Sequence, residues 1–471
     1  MKKKKWNWLG YAVLAGIVLS GCVNELSSPA GMENPPLAPA ESLEDTAGGY
    51  SVSGVIRLWK PRSGINPSAA LVQIKEKDSD YAVAEGVRPD KNGAYTITGI
   101  PPGEYRIEAS LEGYDLRELP LTVSSDTGGA DLILPPLLRP LAAAGLGNND
   151  YFLTSGEGLL LCGTQISSDW GETWTSLFEI GSESYIWGAW NGYAGTYAAG
   201  RFIIGGDADE IGFYTPSTGE IARPAQFFEP ETPSPPFSRV NTMSVMYRLT
   251  GIAAGNGVIV AGAYTSLGTS NLSYSTDNGD HWTVLPLTEP SLGRSIYALV
   301  YEGGRFVAAG GNSASAQGYI AWSSNGRNWT QTEVTDVFGA PVRSLAYGGG
   351  RFVACSNITP YTSYKLQPKP HIGGVIAWSD DGGQTWNPVD LKGVFGEEGN
   401  EWIADVCYGD GVFVAMGGGK DTGLTTIAWS ADGGETWNRV EQSVFFGRLG
   451  KVTYAGGRFF FLINGRMAWF E

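Results

Sequence analysis

The chain is predicted to be all-β, an N-terminal β-sandwich followed by a C-terminal seven-bladed β-propeller. Three observations carry this. The 471 residues include 67 Gly and 16 Trp, and Gly suits tight turns while costing backbone entropy inside an element, so many short strands joined by turns are expected. A Gly turn followed by an apolar strand occurs seven times. A second phrase, Ser-x-Asp-x-Gly-x-Thr-Trp, trails most of these copies. The period, about 45 to 60 residues with four strand signals in each, is that of a propeller.

The N-terminus comes first. Lys2, Lys3, Lys4 and Lys5 precede an apolar stretch, Leu9 to Leu19, which is short for a bilayer span and reads as a signal-peptide core. It ends in Leu19-Ser20-Gly21-Cys22. That ending resembles a bacterial lipobox, which implies cleavage before Cys22 and lipidation of its thiol. Val23 follows, not the Asp that retains lipoproteins at the inner membrane in well-studied diderms, so the expected location is the cell envelope, at the outer membrane or cell surface. The formal charge of −16 loses four Lys and no acid with residues 1–21, reaching about −20. Such a polyanion repels nucleic-acid phosphates and anionic headgroups. The expected membrane contact is the N-terminal lipid alone.

Residues 22–48 are rich in Pro, Ala, Ser and Glu without periodicity and read as a tether. From Tyr50 strands begin: Ser51 to Ile56, Ala70 to Ile74, then Asp90-Lys91-Asn92-Gly93-Ala94-Tyr95, an Asn-Gly turn leading into an alternating strand. Ile100-Pro101-Pro102-Gly103-Glu104-Tyr105, the pair Gly113-Tyr114 and the stretch Leu121-Thr122-Val123 follow. The D-x-N-G-x-Y, P-P-G-x-Y and G-Y phrases resemble the carboxypeptidase regulatory-like, transthyretin-like β-sandwich, assigned to residues 49–135. The resemblance implies a spacer or scaffold without catalysis.

Pro135, Pro136 and Pro140 mark a linker into the propeller, residues 136–471. The Gly-turn strands start at Gly158, Gly200, Gly257, Gly304, Gly350, Gly411 and Gly457. Five copies of the second phrase follow: Ser167 to Trp174, Ser275 to Trp282, Ser323 to Trp329, Ser379 to Trp386 and Ser430 to Trp437. They resemble the Asp-box (BNR) motif of sialidase-like propellers. Its key residues here are Asp169, Asp277, Asn325, Asp381 and Asp432, with Trp174, Trp282, Trp329, Trp386 and Trp437. A degenerate copy lies near Gly212 to Gly219, and the seventh repeat ends at Glu471 with three strands. Residues Leu137 to Gly145 are expected to supply its fourth strand and close the ring, which removes exposed edges. Seven blades result, with six or eight the alternatives.

The boxes are expected to be structural. Asp accepts backbone N–H bonds in a turn, Gly permits a positive φ, and Trp buries a large apolar surface. An active site needs one constellation, whereas these residues repeat around a ring. Sialidase chemistry calls for three converging arginines and an R-I-P motif; no R-I-P occurs, and Arg201, Arg305, Arg351 and Arg458 occupy one repeated slot, expected on the blade surface. The histidines His281 and His371 read as turn and loop residues. Cys162, Cys355 and Cys407 lack C-x-x-C spacing, so no metal and no cofactor are expected, and Cys162 and Cys355 share a small apolar strand position.

The longest, least repetitive segments fall on the face opposite the boxes. They carry Tyr264, Tyr361 and Tyr364 on loops and Trp187, Trp190 and Trp402 between blades. Aromatics there can stack on sugars or anchor a protein. The functional expectation is a lipid-anchored binding or adhesion-type protein of the cell envelope, non-enzymatic, with a protein or glycan ligand. The alternatives are a glycoside hydrolase using two top-loop carboxylates and, third, an assembly factor for membrane complexes.

Overall fold

The computed structural model describes residues 49–59, 65–141, 152–177, 194–206, 211–218, 220–222, 248–264, 272–285, 295–312, 316–356, 373–396, 401–418, 425–440, 450–463 and 466–470. Cys22 and the tether lie outside the described residues, and Gly49–Glu471 forms one compact unit.

The first six strands are β1 (Tyr50–Leu58), β2 (Leu71–Glu76), β3 (Ala94–Ile100), β4 (Gly103–Ser110), β5 (Arg117–Val123) and β6 (Leu132–Leu134). They form two three-stranded sheets, β3-β1-β6 and β2-β4-β5. Alternation places Tyr95 and Ile97 of β3 inward beside Val52, Ile56, Val72 and Ile107. The Asn92-Gly93 turn is pinned by Asp90, whose Oδ1 accepts N–H bonds from Asn92 (2.8 Å) and Ala94 (2.9 Å). The sandwich read from the sequence is therefore present.

The propeller follows as seven four-stranded antiparallel blades. Their inner strands are Leu153–Gly156, Ala194–Ala198, Arg248–Gly255, Ser295–Glu302, Val342–Gly348, Trp402–Gly409 and Lys451–Ala455. Each inner strand turns into the second through the seven predicted Gly turns. Both central residues have positive φ at each, for example Asp410 (47°) and Gly411 (86°). That is the type I′ geometry that matches strand twist. The fourth strand of blade seven is β7 (Arg139–Pro140), paired antiparallel with Arg466–Phe470, so the ring closes as the sequence predicts.

Adjacent blades pack through a repeated aromatic contact. Tyr408, on the inner strand of blade six, meets Phe413 of its own blade at 4.8 Å between centroids. Its ring also lies against Gly348 of blade five, where a Cβ would come within 2.1 Å of it. Tyr197, Tyr301, Tyr347 and Tyr454 repeat the contact with Phe202, Phe306, Phe352 and Phe459.

Candidate functional site

The five Ser-x-Asp-x-Gly-x-Thr-Trp phrases, named Asp boxes above for their resemblance, occupy the turn between third and fourth strands of blades one, three, four, five and six. In the blade-five box the Ser379 hydroxyl donates to Asp381 Oδ1 at 2.8 Å and accepts the Gly383 N–H at 2.9 Å. Asp381 also accepts from the N–H groups of Gln384 (2.8 Å) and Thr385 (3.0 Å) and the Thr385 hydroxyl (2.6 Å). Asp169 and Asp432 repeat this. At Asp277 the histidine that replaces Thr does the same work: the His281 N–H donates at 2.9 Å and Nδ1 lies 2.6 Å from the second oxygen. Asn325 accepts from the N–H groups of Arg327 and Asn328, both at 2.9 Å.

These bonds favour the ionised carboxylates. Burial alone pushes Asp381 and Asp432 up, yet the threonine and serine donors outweigh it and hold both below the ordinary range. For Asp169 the Thr173 hydroxyl is the leading cause of a lowered value. Asp277 falls furthest, to about 2, burial being overcome by the His281 N–H, its ring and Ser275.

Each box tryptophan donates its indole N–H to the box glycine, Trp386 to the Gly383 carbonyl at 3.0 Å and Trp174, Trp282, Trp329 and Trp437 likewise. The rings pack across the seam onto the preceding blade. Trp386, 7% exposed, lies with Val307 and Ile320 of blade four, and Trp437 lies with Val353 and Cys355 of blade five. The box thus joins blades as well as closing a turn.

The repeated arginines require a correction, because they are seam residues and not simply surface ones. Arg201, Arg351 and Arg458 stack on the third-strand aromatic of their own blade, Phe213, Trp378 and Trp469, at 3.9, 4.2 and 4.0 Å. Arg201, Arg305 and Arg351 then donate to main-chain carbonyls of the next blade's box, those of Asn278, Gly382 and Asp432. Arg351 adds an ion pair with Glu435 at 2.6 Å. The aromatic partner was present in the sequence as the repeated Ile-Ala-Trp-Ser before three of the boxes, for instance Ile376 to Ser379, but reading strands one at a time passes over it.

The inner strands of all seven blades line a central cavity of about 170 Å³. Four consecutive blades carry a register shift near the start of that strand, leaving Thr250, Tyr297, Arg343 and Ala404 as the extra residues. Bulges re-aim side chains and recur next to functional sites. Arg343 stacks on Tyr297 of the preceding blade at 3.8 Å. The Thr250 hydroxyl donates to the Ile296 carbonyl, and the Ser344 hydroxyl accepts the Val406 N–H at 3.2 Å. Asp405 is only 5% exposed. One of its oxygens accepts the Val452 N–H at 2.8 Å and the other lies 3.4 Å from Lys451 Nζ. None of these residues was singled out from the sequence, since a bulge has no sequence mark.

Inner strands begin at the long-loop face and end at the Gly turns, so the bulged level belongs to the long-loop end of the channel. Of the predicted face, Tyr264 ends the second strand of blade three, paired with Ser295 and 38% exposed. Trp402 begins the inner strand of blade six, half-buried and three residues before Asp405. The two share a face but stand three blades apart. Trp187, Trp190, Tyr361, Tyr364 and His371 lie outside the described residues. Cys162 and Cys355 are fully buried at the expected strand position, and burial together with the Asp405 charge pushes the Cys355 thiol well up. Among the described residues no cluster of His, Cys, Asp and Glu suits a metal ion, and no helix is long and apolar enough to cross a membrane.

Comparison with known proteins identifies one family domain in the chain. Residues 51–134 match the family model of the carboxypeptidase regulatory-like domain. No curated protein matches the chain. Among solved structures, YCF48 bound to D1 peptide is similar at 15% identity and a TM-score of 0.48, over 71% of this chain and 94% of that one. YCF48 from Cyanidioschyzon merolae aligns at 16% identity and 0.47, over 71% and 98%. The Pan2 WD40 domain of Neurospora crassa aligns at 11% identity and 0.45, over 68% and 88%.

Two predictions follow from the seam role of the boxes. Trp386→Ala should destabilise the chain by about 3–5 kcal/mol, the cost of deleting a buried aromatic, and Asp381→Ala by about 1–2 kcal/mol. Denaturant titration checks both, and unchanged midpoints would show the boxes to be something other than structural. The second concerns acid. Asp277 titrates lower folded than the value near 3.9 expected when unfolded. Its contribution is therefore present above about pH 4 and is lost as the pH falls toward about 2. Melting curves of Asp277→Asn should show a smaller loss across that window than the parent.

Proposed function

We propose that the chain is a lipid-anchored binding protein of the cell envelope, non-catalytic, which captures a protein or glycan at the long-loop mouth of its propeller. The observation that carries this reading is the contrast between the two ends of the ring. At the Asp-box end the polar groups are consumed by turns and seams. At the other end the strands bulge around a channel lined by Tyr297, Asp405 and Lys451, with Arg343 stacked on Tyr297 and Tyr264 and Trp402 on the same face. Such convergence of aromatic and polar groups on a concavity is what ligand sites use. The Asp405 carboxylate is engaged by Lys451 and the Val452 N–H, an arrangement suited to fixing the channel wall. Glycoside hydrolysis instead needs two carboxylates facing across the scissile bond. The anchor is argued from the Lys run, the apolar core and Leu19-Ser20-Gly21-Cys22.

Cys22→Ala should abolish incorporation of a fatty-acid analogue and shift the protein out of the membrane fraction; labelling that persists in the variant would refute the anchor. Replacing Tyr264, Tyr361, Tyr364 and Trp402 together by Ala should weaken capture on a glycan array or from envelope extracts at least about tenfold, with cooperative melting retained. A hydrogen-exchange footprint on the box turns or the sandwich would overturn the site. Release of sugar from arrayed glycans would overturn the non-catalytic reading.

A further inference from the structure

Successive seams at the Asp-box end share a device: a flat third-strand side chain capped by a cation. Arg201 and Arg351 cap their own blades' aromatics and reach the next box. In blade three the arginine slot holds Val258, and Arg327, from the box of blade four, covers Tyr274 at 5.3 Å instead. Blade six has Val412 in the slot, and blade seven takes β7 as its fourth strand, so it has no third-to-fourth-strand turn to carry a box that could reach back. Trp429, the third-strand aromatic of blade six, therefore has neither source of a cap.

The sandwich supplies one. Trp59, one residue beyond β1 and 4% exposed, meets Trp429 edge-on at 5.3 Å. It makes the same kind of contact with Phe459 at 5.9 Å and Phe470 at 5.0 Å, both in blade seven. One apolar core runs from the sandwich through Trp59 into blades six and seven. Blade seven, one side of that seam, is also the blade that closes the ring. That closure rests on a two-residue strand, Arg139 opposite Trp469 and Pro140 opposite Ala468, with a flanking bond from the Leu141 N–H to the Met467 carbonyl at 2.9 Å.

The closing strand is itself held by the sandwich. Only residues 135–138 separate β6 from β7. The Asp115 N–H donates to the Pro135 carbonyl at 2.9 Å and the Trp59 N–H to the Leu134 carbonyl at 3.1 Å. The proline-marked linker is a docked segment.

We infer that the sandwich is a clasp on the propeller, in which Trp59 replaces the missing cation cap at the seam of blades six and seven and thereby secures the strand that closes the ring. The clasp sits at the Asp-box end, because Trp429 directly precedes the box at Ser430 and Phe459 lies two residues after the turn at Gly456-Gly457. The channel mouth proposed for binding lies at the other end of the same strands. This inference needs no ligand and stands whether or not the mouth binds one.

Hydrogen exchange on the full chain tests it. Trp59→Ala should raise exchange about tenfold or more in Thr425–Ser430, Arg458–Ile463 and Arg466–Phe470, leaving Val258–Tyr264 of blade three unchanged. Trp59→Phe should keep most of the protection. Adding Val412→Arg to Trp59→Ala should restore part of it, since an arginine in that slot caps the third-strand aromatic elsewhere in the ring. If Trp59→Ala gives no soluble protein, the same comparison is made with Trp59→Leu. Exchange that rises only within the sandwich strands, or nowhere, would overturn the clasp, as would failure of Val412→Arg to restore any protection.

Discussion

The contact between neighbouring blades is the interaction on which the rest of this structure depends. A four-stranded blade has two apolar faces, and alone it can bury neither. Ring closure solves this only when every seam is dry and well fitted. On the inner side the fit is a tyrosine lying where the preceding blade offers glycine. Farther out it is a box tryptophan whose indole N–H is satisfied by its own turn, so that the ring can be buried without an orphan donor. Blade seven is completed from the far end of the propeller sequence, which couples the stability of every seam to the ends of the domain.

Dry seams leave the channel free to be polar. Its hydroxyls and carboxylate bind the main chain of the next blade: Thr250 joins blade three to four, Ser344 five to six and Asp405 six to seven. Those groups are wall elements. The bulged Tyr297 and Arg343 meet side chain on side chain across the seam of blades four and five. For the binding role proposed above, a wall fixed by main-chain bonds would limit the ordering cost of capture.

The parts legible in the sequence are those decided over a few residues. An Asn-Gly or Gly-Gly turn, a serine two before an aspartate and a tryptophan five after it are local geometry, so the sandwich, the Gly turns and the boxes could all be read. Even the closing strand was accessible, since a seventh repeat with three strands demands a fourth from elsewhere. Contacts set by ring closure were not. Lys451 and Asp405 are 46 positions apart and Arg351 and Glu435 are 84, and nothing in either neighbourhood announces the partner. The arginine slot was visible as a repeat but misread as surface, because its role depends on the next blade.

Irregularities in a repeat are informative when the repeated part has a known job. Once the arginine is understood as a cap over an aromatic, its absence at Val258 and Val412 becomes a question with a physical answer, and the two answers differ. Blade three borrows a cation from the box of its neighbour, which costs nothing in domain organisation. Blade six has no such neighbour, and an uncapped Trp429 beside the blade that closes the ring would leave a large apolar surface in water. A tryptophan from outside the propeller covers it, and that single contact ties a domain readable as a spacer to the element that completes the fold.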